Sequence, residues 1–148
     1  FLKSKSKNSF KQLVKTQVKK YAFINLMEKK KKHSKMDNIE YEELKKQDYF
    51  SIKGINVEEV RNIFKIRTRM APYGQNFRGG QETVRCPLCE VQADDQVHGF
   101  QCEEIKNKIE INIEVEDIYQ QSITKQMAEE VTNILKAREK LIEAKKRK

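Results

Sequence analysis

Four side chains of the kinds that bind metal ions lie within seventeen residues of one another in this 148-residue chain. They follow the pattern C-x2-C-x8-H-x3-C and are Cys86, Cys89, His98 and Cys102. Two cysteines separated by two residues can bind one ion from a tight turn, and Pro87 and Leu88 suit such a turn. Three thiolates and one imidazole fill the four positions of a tetrahedral Zn²⁺ and leave none for a catalytic water. The spacing therefore predicts a structural zinc site; the alternative is three buried, reduced cysteines beside an unrelated histidine.

This predicted site needs a helix to carry its second pair of ligands. Asp94 and Asp95 are candidate N-caps, so His98 and Cys102 would lie at positions i and i+4 on one face of a new helix. A polar segment of this size cannot fold on apolar burial alone, so metal binding would supply its folding free energy. An odd number of cysteines beside a histidine favours a reduced, intracellular metal site over a disulfide framework.

The remaining patterns give little support for catalysis. The glycine-rich stretch 74–80 lacks the Lys-Ser/Thr pair of a phosphate-binding loop. Asp94 and Asp95 are explained by helix capping, and the sequence shows neither a Ser/His/Asp arrangement nor a carboxylate cluster with polymerase or nuclease spacing. We therefore expect that this chain is not an enzyme.

The net charge of +9 is concentrated at one end of the chain. Residues 1–53 contain 15 basic and 6 acidic side chains, whereas residues 54–148 contain 16 of each. This asymmetry indicates a polyanionic partner, with nucleic acid favoured over a membrane; the alternative is a solvated lysine-rich helix that keeps the protein soluble. No apolar run approaches the roughly 20 residues that span a bilayer, and the first residues lack the apolar region of a signal peptide.

The apolar periodicity predicts a mainly α-helical chain of four helices around one small zinc module. Helices are expected over 8–30, 56–70 and 117–146, the last being long and amphipathic. The pattern over 37–50 is ambiguous and could form a short helix. Residues 108–115 alternate between apolar and polar types, which indicates a strand or, without a partner strand, an extended linker. We divide the chain into a basic helical region (1–53), a capped helix with the zinc module (54–107), and an extended segment with the C-terminal helix (108–148).

The helix over 56–70 has the clearest start signal in the sequence. Asn56 and Glu59 fit a reciprocal capping box. Arg61, Lys65 and Arg69 are spaced at i, i+4 and i+8, so they are expected to stack on one side of this helix.

Residues 21–102 resemble the region downstream of the reverse transcriptase in non-LTR (LINE-type) retrotransposons of invertebrates. The resemblance rests on an ordered series of short motifs: KKHSK (31–35), YF (49–50) before Gly54, IFKIRTRM (63–70), NF (76–77) and CPLC…DDQVHGFQC (86–102). It implies a helical connecting region followed by a zinc module that helps to hold template RNA or target DNA. The catalytic aspartates of that family lie upstream in the polymerase domain, and no polymerase motif is present here.

The resemblance also implies roles for individual residues. Cys86, Cys89, His98 and Cys102 correspond to the zinc ligands of the family, and Arg67 and Arg69 match the basic positions of its helix. The eight residues between Cys89 and His98 depart from the four of a retroviral zinc knuckle, so knuckle-style base recognition is not expected.

Together these patterns predict a non-catalytic, zinc-stabilised module that binds the backbone of RNA or DNA. The expected phosphate contacts are Lys29, Lys30, Lys31, Lys32, Lys35, Arg61, Lys65, Arg67, Arg69 and Arg78. The expected partners are nucleic acid and the rest of a polymerase polyprotein, with no membrane, in the nucleus or cytoplasm. The alternative is a zinc-stapled protein-interaction module that dimerises or binds a partner through the helix in 117–148.

Overall fold

The computed structural model describes residues 7–32, 35, 47–77, 83–120 and 122–147. These residues are mainly helical, as the sequence predicts, and contain no β-strand. Their α-helices are α1 (Lys7–Lys30), α2 (Val57–Arg67), α3 (Gln96–Gln101), α4 (Glu103–Lys106), α5 (Val115–Tyr119) and α6 (Lys125–Lys146).

The chain divides into two compact units, Phe1–Lys46 and Gln47–Lys148. In the first unit, α1 confirms the helix expected over 8–30, and none of its residues is buried. The ambiguous segment 37–50 lies mostly outside the described residues, and its last three residues form a single 3-10 turn, Asp48–Phe50.

Helix α2 begins at the predicted cap and ends three residues earlier than predicted. The Glu59 N–H donates to Asn56 Oδ1 at 2.9 Å, and the Asn56 N–H donates to the Glu59 carboxylate at 2.8 Å, so the capping box is confirmed. After Arg67, the backbone of Arg69 turns to φ 51°, in the left-handed region. The Lys65 carbonyl then accepts the N–H groups of Met70 and Ala71. This closure ends the helix, so the predicted stack of three cations contains only Arg61 and Lys65.

The single helix expected over 117–146 is divided into α5 and α6. Ile123 is buried between them, and Thr124 begins α6 as its N-cap, with its hydroxyl accepting the Met127 N–H at 3.2 Å. Apolar spacing alone could not show this break, because Ile123 keeps the helical phase without being helical.

The strand expected over 108–115 is absent from the part of the chain that the structure describes, where the one β-bridge joins Arg85 to Ala93. Exposure nevertheless alternates along 109–115, with each isoleucine half-buried and each polar residue exposed. This period of two is that of an extended chain. Residues 110–114 therefore match the extended linker that the sequence left as the alternative. Lys108 and Ile109 instead belong to the turn after α4, where their N–H groups donate to the Ile105 carbonyl, and Val115 begins α5.

The core of the second unit lies mainly between α2 and α6. Ile63 and Ile66 of α2, Ile118 of α5, and Val131 and Ile134 of α6 are all 1% exposed or less. Residues 54–107 and 108–148 therefore share one core. Much of the apolar stripe of α6 packs inside this unit.

None of the described helices combines the length and the apolar character needed to cross a membrane.

Candidate metal centre

The four predicted ligands converge on one point. Their ligand atoms, three sulfurs and one imidazole nitrogen, all lie within 4.8 Å of one another. Cys89 Sγ lies 3.2 Å from His98 Nε2. Cys86, His98 and Cys102 are buried and Cys89 is half-buried. The cluster is thus large enough for one ion, and Cys89 and His98 also line an open groove.

A tight turn presents the first two cysteines. The Glu90 N–H donates to the Cys86 carbonyl at 2.9 Å, and the Cys86 N–H donates to the Gln92 carbonyl at 2.8 Å. Glu90 takes a left-handed backbone with φ 61°, which reverses the chain after Cys89. The predicted turn around Pro87 and Leu88 is therefore present.

Helix α3 presents the histidine, and the residue after its end presents the last cysteine. Asp95 caps α3 by accepting the His98 N–H at 2.7 Å. The prediction that Cys102 shares this helix is wrong, because Cys102 has φ −62° and ψ 120°. Its carbonyl instead accepts the Ile105 and Lys106 N–H groups at the start of α4. The two helical ends converge on the site because the chain bends at the ligand itself.

The environment shifts the pKa values of two thiols in opposite directions. A hydrogen bond from the Gln92 backbone is the largest cause that lowers the pKa of Cys89 to about 6. Burial raises the pKa of Cys102 to about 11. The Cys89 thiolate is therefore available at neutral pH, whereas a metal ion must displace the proton of Cys102.

The donor set fits a metal ion. Soft thiolates and an imidazole are the ligands that Zn²⁺ takes in structural sites. Because His98 Nε2 faces Cys89, this nitrogen is the one available to a metal. The other ring nitrogen, Nδ1, is buried without a hydrogen-bond partner among the described residues.

Helix α6 contacts the turn that carries Cys86 and Cys89 through Lys145, a contact that the sequence did not predict. The Lys145 ammonium donates to the carbonyls of Pro87 and Leu88 at 3.1 and 2.8 Å and to the Glu90 carboxylate at 2.7 Å. Lys145 lies in a C-terminal basic run that resembles a solvated tail in the sequence. No local pattern distinguishes it from its neighbours.

Helix α6 contributes a second cation near the site, Arg138, and this one is buried. Arg138 is 3% exposed and donates two hydrogen bonds of 2.8 Å to the carboxylate of Asp94, at the entry to α3. Its guanidinium also donates to the Pro72 carbonyl and lies 4.8 Å from the centroid of the Tyr73 ring. Asp94 is therefore the partner of a buried cation, while Asp95 is the cap.

Most of the predicted phosphate contacts that the structure describes are exposed. Lys30 of α1 is half-buried, and Arg69 is half-buried at the turn after α2. Arg78 lies outside the described residues. The exposed members of the set are Lys29, Lys31, Lys32, Lys35, Arg61 and Lys65.

Arg67 does not belong to such a surface. It is 2% exposed, its Nε donates to the Ile118 carbonyl at 2.8 Å, and a second guanidinium nitrogen donates to the Gln120 carbonyl. Its guanidinium also lies 5.0 Å from the centroid of the Tyr49 ring. Arg67 therefore joins α2 to the end of α5, and its charge is used inside the unit.

No protein-family model, no curated protein and no solved structure matches this chain.

Proposed function

We propose that this chain is a non-catalytic nucleic-acid-binding module whose fold is stabilised by one Zn²⁺ ion. The convergence of four ligand atoms within 4.8 Å carries the proposal. Zn²⁺ is the metal that best suits three thiolates and one imidazole, and with all four ligands from the protein its role is structural. The resemblance of residues 21–102 to retrotransposon sequences supports a place beside a polymerase in a longer polyprotein.

The zinc ion would hold the Cys86–Glu90 turn against α3 and α4. Cys86 and Cys102 pack with Leu88 and Ile105 in a small apolar cluster that also contacts α6. A bound metal would add four ligand bonds to these apolar contacts and to those of Lys145. Zinc binding would therefore order one face of the second unit.

The exposed cations would supply the affinity for nucleic acid. Helix α1 carries seven lysines and one glutamate, and α2 exposes Arg61 and Lys65 on one side. Such cations bind phosphates without reading sequence, so the association constant should fall steeply with salt. For each phosphate contact, the slope of log K against log salt is about −0.7 for single strands and about −0.9 for duplex DNA.

Metal content is the first test. Native mass spectrometry of the reduced full chain should find one Zn²⁺, lost on chelation together with secondary structure near the site. His98→Asn should lose the metal, whereas His33→Asn, at the chain's other histidine, should keep it. A folded, reduced chain that binds no zinc would overturn the proposal.

Nucleic-acid binding is the second test. Fluorescence anisotropy with labelled single-stranded RNA and duplex DNA should show binding that weakens with salt. Arg61→Gln/Lys65→Gln should weaken it more than Lys140→Gln/Lys146→Gln, which removes equal charge from exposed sites on α6. Equal losses in both double variants would show that net charge alone drives binding. A mass that rises with concentration, without nucleic-acid affinity, would favour the protein-interaction alternative.

A further inference from the structure

The extended segment 110–114 has one edge of its backbone without hydrogen bonds. The Asn112 N–H donates to the Glu130 carboxylate of α6 at 3.2 Å, and the Glu114 N–H donates to the Asp117 carboxylate at 2.9 Å. The N–H and C=O groups of Ile111 and Ile113 have no partner in the described part of the chain. In an extended chain, alternate residues direct their N–H and C=O groups to opposite edges. One edge is therefore occupied, and the edge of Ile111 and Ile113 is open.

A groove of about 660 Å³ runs beside this segment. Residues 111–116 form one wall, and the metal module forms the other. Val91 and Val97 on the module side keep 74% and 43% of their surface exposed, so the groove offers apolar contacts. An added strand in this groove could satisfy the open edge and cover these valines at once.

The groove carries an excess of negative charge. Its lining includes the carboxylates of Glu103, Glu114 and Glu116 and the ammonium of Lys106, and the candidate metal ligands Cys89 and His98 lie at its other wall. Lys106 lies 3.7 Å from the Glu103 carboxylate, which leaves the other two carboxylates without a cation in the groove. An occupant with basic side chains would therefore be favoured.

A second copy of this chain suits the edge less well. Pairing Ile111 of one copy with Ile113 of the other would use both open N–H groups of each. In that register, Glu110 lies opposite Glu114 twice, and like charges directly opposite each other are destabilising. Negative side chains on an open edge discourage pairing between identical strands.

We propose that residues 110–114 and the adjoining groove bind an extended peptide segment of a partner protein, in which apolar and basic residues alternate. The peptide adds as a β-strand to the edge of Ile111 and Ile113. Its apolar side chains contact Val91 and Val97, and its basic side chains face Glu114 and Glu116. This site goes beyond the proposed nucleic-acid surface, because it uses carboxylates and an open backbone edge where that surface uses cations.

The test uses the zinc-supplemented full chain and capped, fluorescein-labelled heptapeptides of alternating valine and lysine. A matched peptide has glutamate in place of lysine, and a third has N-methyl groups on its hydrogen-bonding edge. The lysine peptide should bind at least about tenfold more tightly than the glutamate peptide, which cannot form the opposite-charge pairs. It should exceed the N-methylated peptide by at least about the same factor, because that peptide cannot form the strand's hydrogen bonds. In the bound state, hydrogen exchange at the Ile111 and Ile113 amides should slow at least about tenfold.

Variants of the protein complete the test. Glu116→Gln should weaken binding of the lysine peptide about two- to fivefold, whereas Glu143→Gln, an exposed residue of α6 outside the groove, should not. Equal binding of the lysine and glutamate peptides, or exchange protection only at other amides, would overturn the proposal. Protection of Ile111 and Ile113 without peptide, accompanied by a dimer mass, would assign the edge to a second copy.

Discussion

The buried ion pair between Arg138 and Asp94 should contribute far more to stability than the exposed pair between Lys136 and Glu58. Both pairs have an N···O distance of 2.8 Å, and both cations lie on α6. The buried side chains are only 4% and 6% exposed, against 49% and 53% for the exposed pair. The two pairs therefore differ chiefly in their access to water.

The expected magnitudes follow from that difference. Arg138→Met keeps a long side chain but leaves the Asp94 carboxylate buried without its cation, which costs about 3–5 kcal/mol of the free energy of unfolding. The same variant also loses the hydrogen bond to the Pro72 carbonyl and the contact with the Tyr73 ring. Lys136→Met should cost less than about 1 kcal/mol, because water screens the exposed pair and solvates Glu58 when it is left alone.

Urea unfolding of the full chain, followed by circular dichroism, measures both variants. Asp94→Asn and the double variant Asp94→Asn/Arg138→Met complete a cycle, in which the double variant should lose less than the sum of the single losses. Asp94 lies just before the cap of α3, the helix that carries His98. The metal affinity of Arg138→Met therefore also tests whether this ion pair positions the metal centre. If Arg138→Met costs no more than Lys136→Met, the assignment of Arg138 as a buried link is refuted.

Three further perturbations test individual contacts. Gly99→Ala would place a Cβ 2.2 Å from the ring of the buried Tyr73. It should therefore lower the free energy of unfolding by about 1–3 kcal/mol and weaken metal binding. The control is Gln101→Ala, at an exposed residue of the same helix, which should change neither quantity. Asn56→Ala should cost about 0.5–2 kcal/mol in the same urea experiment, because it removes the cap of α2; no loss would contradict the capping box. Metal affinity should fall as pH falls, since Cys102, with its raised pKa, releases a proton on binding at neutral pH. Below about pH 6, Cys89 must release one too, so competition titrations should show an additional tenfold loss per pH unit there; a pH-independent affinity would contradict thiolate ligation.

The sequence predicted the ligand set and the starts of α2 and α3 because both depend on short-range chemistry. The Asn56–Glu59 capping box and the Asp95 cap join residues three positions apart, and the cysteine turn closes within five residues. The sequence-based prediction was wrong where one local pattern is compatible with two backbone structures. Ile123 has helical spacing but lies in a break, and Cys102 has helical spacing but begins a bend.

Arg61 and Arg67 show that the local sequence also does not reveal which charged side chains are exposed to solvent. Both are arginines of α2, and the sequence placed both on a phosphate-contacting surface. The tertiary structure leaves Arg61 exposed and buries Arg67 against carbonyls that lie 51 and 53 residues further along the chain. Only the packing of α5 on α2 decides which arginine is available to solvent.

The sequence by itself therefore determined the four side chains that can hold a metal, the helical character of the chain and its concentration of basic charge. The tertiary structure alone decided that Arg138 and Asp94, 44 residues apart, form a buried pair beside the site. Among the residues that the structure describes, it also left the alternating segment 108–115 without a partner strand, although its residue pattern is that of a strand. The physical reason is that side-chain types and spacing encode local hydrogen bonds and periodicity, whereas burial and pairing depend on which distant elements pack together.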